Sequence, residues 1–80
     1  MKNFTNQLFG LFQKSWWLEI STVSPSCEYY FGPFGSENEA LQEQPGYMED
    51  IEQEGSKVQK VLVTHRKTPA QLTVEYPQAS

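Results

Sequence analysis

Cysteine and histidine occur once each, and no apolar run is long enough to cross a bilayer. A lone Cys27 leaves no partner for an internal disulfide, which excludes the stapled scaffolds of small secreted proteins and points to a reducing, intracellular setting. A spanning helix needs roughly 18 uninterrupted apolar residues. The one apolar patch near the start is broken by Asn6, Gln7 and Gly10 and preceded by Lys2 alone, so neither a span nor a secretory start is expected. Basic residues are missing altogether between positions 37 and 54, where Glu37, Glu39, Glu43, Glu49, Asp50, Glu52 and Glu54 accumulate. Such a face repels phosphate backbones, and nucleic acid is not an expected partner.

The same scarcity limits chemistry. A nucleophile activated by a base would have to use His65, which sits among Val63, Arg66 and Lys67, and no motif brings Cys27 or a serine to it. One cysteine and one histidine far apart do not make a zinc site, and the carboxylates lack the spacing of a calcium loop. The segment Gly32-Pro33-Phe34-Gly35 has too few glycines to cradle a phosphate and reads as a strand end. No catalytic residue, cofactor or metal is expected, and the protein reads as non-enzymatic.

What is present is one small domain. Its 80 residues lie near the size at which only about 60% of the unfolded surface is buried on folding. Met1, Phe4, Leu8, Leu11 and Phe12 recur at spacings of three and four, which predicts an amphipathic helical segment over 1–15. Gly10 weakens it by about 1 kcal/mol, so it needs its apolar face covered by its own sheet, by a partner or by a membrane surface. Trp16, Leu18, Ile20 and Thr22 alternate with Trp17, Glu19 and Ser21, predicting a strand. Ser24, Pro25 and Ser26 form a turn, and a second strand, CEYYF, returns until Gly32 and Pro33 end it. Ser36 with Glu39 predicts a capping box and the start of a helix. Pro45 is expected to divide that helix, and Gly55 to close it. Two further strands are predicted, Val58 to Arg66 and Leu72 to Tyr76, with 77–80 frayed. The expected fold is α+β: a small antiparallel sheet in the layout β-β-α-β-β with one helix on a face, spanning 16–76, preceded by the short amphipathic helix.

The stretches WWLEIST, CEYYFGPF and GYMEDIEQEG resemble the motifs of a family of small cyanobacterial proteins classed as a domain of unknown function. The resemblance runs from about Trp16 to Tyr76 and implies a cyanobacterial cytoplasmic setting without a known activity. A looser similarity of architecture, without shared motifs, links the expected element order to the capping-linker modules of phycobilisomes.

Function is therefore sought on surfaces. Trp17 and Tyr30, with Leu62, are expected to project from the sheet face away from the helix, where they form an exposed aromatic patch unless the amino-terminal helix packs over them. Trp17 and Tyr30, with Phe4, Leu8, Leu11 and Phe12 of the first segment and Glu49, Asp50 and Glu52 of the acidic helix, form the expected partner-binding set. The expected function is a protein-binding module, regulator or adaptor in a photosynthetic or assimilatory assembly. Its partner would carry a basic surface, as a ferredoxin-dependent enzyme or a phycobilisome component does. The alternative is a peripheral, thylakoid-associated or linker-like structural protein anchored by residues 1–15. A homodimer joined through the sheet is compatible with either.

Overall fold

The computed structural model describes residues 13–76. They form strands β1 (Ser15–Val23) and β2 (Cys27–Phe34), helix α1 (Glu37–Gln53), and strands β3 (Lys57–Arg66) and β4 (Thr73–Glu75). Period-two alternation in β1 puts Leu18, Ile20 and Thr22 on one face, where all three are buried; the Thr22 hydroxyl donates to the Pro25 carbonyl at 2.9 Å. Against that face lie Phe34 and, from the helix, Ala40 and Ile51, with Phe31, Tyr47, Val61 and Val63 partly buried around them. Phe31 and Tyr47 stack at 4.1 Å between ring centroids, joining sheet to helix at the aromatic end of the core.

The sheet is antiparallel in the order β3-β1-β2-β4. The expected β-β-α-β-β layout with a preceding helix is thereby corrected, among the described residues, to one four-stranded sheet carrying a single helix. β3 and β4 do not pair as a second hairpin; they take opposite edges of the β1–β2 hairpin. The reason lies in the connection between them, which contains Pro69 and reaches β2: the Tyr30 amide donates to the Leu72 carbonyl at 2.8 Å, and the Tyr76 amide to Ser26 at 2.9 Å. The expected amino-terminal helix falls on residues outside those described.

Two boundaries also shift. β2 continues through Gly32 and Pro33 to Phe34 because the pairs Trp16↔Phe34 and Leu18↔Phe31 leave Gly32 and Pro33 opposite Trp17 alone, a β-bulge. Gly32 has φ +141°, and a Cβ there would stand 3.0 Å from the Trp16 carbonyl oxygen and 3.1 Å from the Trp17 ring. Helix α1 runs unbroken through Pro45 instead of dividing there. Pro45 and Leu41, whose carbonyl loses its amide partner, are both exposed residues, which leaves the freed carbonyl on the solvent side, while Ala40 on one side and Tyr47 and Ile51 on the other hold the helix to the sheet.

Both ends of α1 are built locally. The Ser36 hydroxyl accepts from the Glu39 amide at 3.1 Å, while the Glu39 carboxylate accepts from Gly35 at 2.7 Å, one residue earlier than a capping box would place it. At the other end Gly55, at φ +91°, donates to Glu52, and Ser56 donates to Ile51, the two bonds of a Schellman motif.

Candidate functional site

Helix α1 turns Ala40, Tyr47, Met48 and Ile51 toward the sheet, which forces its carboxylates outward. Glu49, Asp50 and Glu52 are all exposed, as the sequence leads one to expect, and no Lys, Arg or His interrupts the helix. Gly46 leaves a shallow depression of about 240 Å³ between Glu43, Tyr47 and Asp50. Leu41, 47% exposed, lies on the same helix. It is a contact candidate the sequence reading missed, although its mismatch with the inward stripe of Ala40, Tyr47 and Ile51 is visible in the spacing.

The opposite face of the sheet is not the exposed aromatic patch expected. Trp17 is only 2% exposed, and this corrects its place among the surface residues. The bare backbone of Gly32 lets the β2 bulge lie against its ring. Its indole nitrogen finds no acceptor among the described residues. Tyr30 is half-buried because the Arg66 guanidinium lies over its ring, 5.0 Å from the centroid. Arg66 is in turn held by Glu19, which accepts from Arg66 Nη1 at 3.4 Å and from the Thr64 hydroxyl at 2.6 Å. Across-sheet register explains the grouping: Glu19 stands between Tyr30 and Leu62, and Trp17 beside Thr64. A mixed groove of about 290 Å³ runs beside this cluster, lined by Tyr30, Arg66, Pro69, Ala70, Gln71 and Val74. Leu62 does project to solvent, 42% exposed.

The chemically reactive residues stay apart. Cys27 is buried opposite Thr22 at one end of β1, and His65 stacks on Trp16, 4.7 Å between centroids, at the other. Strand rise puts about 20 Å between those positions. Among the described residues no cluster of His, Cys, Asp and Glu could hold a metal ion, and no helix is long and apolar enough to cross a membrane. Two tyrosines are perturbed: Tyr76 donates to the Glu28 carboxylate at 3.0 Å, which holds its proton above the usual value near 10, and burial pushes Tyr29 up, aided by Cys27 beside it.

Phe4, Leu8, Leu11 and Phe12 of the expected set lie outside the described residues. The remainder divides between two faces: Glu49, Asp50 and Glu52 on the helix, Trp17 and Tyr30 on the far side of the sheet. Comparison with curated proteins and with solved structures gave no match. A family match begins at residue 9, ahead of the Trp16 boundary read from the motifs, and ends at 74 within β4. It takes in all three motifs, the bulge and the whole of α1, and on that extent the chain belongs to the family described as a domain of unknown function, DUF1816.

Proposed function

We propose that this protein is a small non-enzymatic binding module whose contact surface is the outer face of α1, offered to a partner with a basic surface. The observation that carries this reading is a helix with exposed Glu49, Asp50 and Glu52 and no basic residue within it. Exposed charges of one sign gain little as isolated pairs, but together they steer encounter and reject partners of like charge. Exposed Leu41 and the depression at Gly46 add an apolar contact and a shape to that charge. We place the module in a cyanobacterial photosynthetic or assimilatory assembly, as regulator or adaptor, on the resemblance of its motifs. A ferredoxin-dependent enzyme or a phycobilisome component has the matching chemistry.

The test measures association of the full chain with isolated phycobilisomes and with a ferredoxin-dependent reductase, at low and high salt, beside the Glu49→Lys, Glu52→Lys double variant. The reading expects binding that weakens with salt and an on-rate at least about tenfold slower in the double variant. Equal on-rates would overturn the role of α1. A variant lacking residues 1–15 that loses binding, or loses sedimentation with thylakoids, would move the contact to that segment.

A further inference from the structure

The sheet has two edges of unequal kind. β4 offers only Thr73–Glu75, whereas β3 offers Lys57–Arg66 and has no strand on its outer side among the described residues. Exposed edges are normally blunted by shortness, bulges or charge. In β3 those devices cluster at one end: Lys57 and Lys60 supply charge, and a register slip against β1, with Ser21 facing Lys60 and Thr22 facing Val58, puts a bulge at Gln59. Beyond it Val61, Leu62, Val63, Thr64 and His65 run without charge, proline or glycine, and Leu62 is exposed. No acidic residue occurs in the strand.

We infer that the Lys60–Arg66 edge of β3 is a docking site for an extended acidic segment of another protein, which adds to the sheet as a fifth strand. Main-chain hydrogen bonds would supply affinity, and alternate side chains selectivity. Lys60, Leu62, Thr64 and Arg66 share the face away from the helix; Arg66 is held by Glu19 through Nη1 yet its side chain stays 38% exposed, so the fitting segment carries carboxylates at the positions opposite Lys60 and Arg66 and an apolar residue opposite Leu62. A second copy of this chain is the poorer occupant. Antiparallel self-pairing over the whole Lys60–Arg66 run sets Lys60 of each copy against Arg66 of the other, two like-charge pairs with no acidic residue in either strand and only Glu19 of the neighbouring β1, beside Arg66, to offset them.

The experiment uses the full chain, isotopically labelled, and three synthetic heptapeptides. One has glutamates opposite Lys60 and Arg66 with valine opposite Leu62, one replaces the glutamates by lysines, and one keeps the glutamates but is N-methylated on alternate amides. The inference expects amides of β3 that exchange freely in the protein alone and gain protection with the glutamate peptide. It expects about fivefold weaker binding of the lysine peptide, loss of binding for the N-methylated one, and reversal of the charge preference in Lys60→Glu. Protection of the whole β3 edge before any peptide is added, resonance shifts confined to α1 or β4, or protection that rises with protein concentration would each overturn it; the last would make a second copy the occupant. None of these readouts depends on the partner proposed for α1.

Discussion

Gly32 carries a constraint that no other residue type meets. At φ +141°, with the Trp16 carbonyl and Trp17 ring at 3.0 and 3.1 Å from where a Cβ would stand, a side chain meets both backbone strain and a close contact that backbone cannot relieve. Gly32→Ala is expected to lower stability by about 1–3 kcal/mol, measured by chemical denaturation. Tryptophan fluorescence should show Trp17 more exposed to quencher in the folded variant, which an effect on the unfolded chain alone would not produce. The glycine was visible in the sequence as a strand end, but its role was not. A bulge depends on how many residues stand opposite one another across two strands, and one strand read alone does not contain that count. Trp17 was misplaced for the same reason: alternation correctly assigned its side of the sheet but said nothing about the Gly32 bulge lying against its ring.

At the scale of the element, α1 holds together despite two poor helix formers in succession, Pro45 and Gly46. Neither is required by its surroundings: Pro45 is exposed, and a Cβ at Gly46 would meet nothing within 4 Å. Gly46→Ala is expected to stabilise by about 0.5–1 kcal/mol and Pro45→Ala by about 1–3 kcal/mol, the latter less a part returned through the freer unfolded chain. Thermal melts with unchanged helical circular dichroism would check both, and a loss of stability in either would show that the interruption is needed by the fold. The helix ends were the most legible feature of the sequence, because Ser36, Glu39 and Gly55 act on backbone groups a few residues away. Continuity through Pro45 was not legible, since it depends on contacts of Ala40, Tyr47 and Ile51 with strands distant in sequence.

For the whole molecule, pH reads out how the last strand is secured. Tyr76 donates to Glu28 across β4 and β2, and its proton is held above the ordinary value near 10. A group whose pKa is raised by folding contributes stability that is complete below the unfolded value and lost as pH rises through the folded one. The contact's share of stability should therefore be lost only above about pH 10, with β4 amides exchanging first. Ultraviolet titration should show late-ionising tyrosines, one of them removed in Tyr76→Phe; a tyrosine curve centred at the ordinary value would refute the contact. Charge, too, is sorted at this scale: carboxylates on the helix, Lys57 and Lys60 on one sheet edge. Composition showed both groups, whereas strand order placed the lysines on an outer edge.

Strand order also has a temporal meaning. Chains are made from the amino terminus, and here the central hairpin β1–β2 comes first, the helix next, and the two flanking strands last. During synthesis both sides of that hairpin stand unguarded until β3 and then β4 leave the ribosome. A nascent chain arrested after α1 would present two open templates where the finished protein has one long edge and one short. Premature stops between α1 and β4 should thus yield sticky, rapidly cleared fragments rather than smaller working proteins.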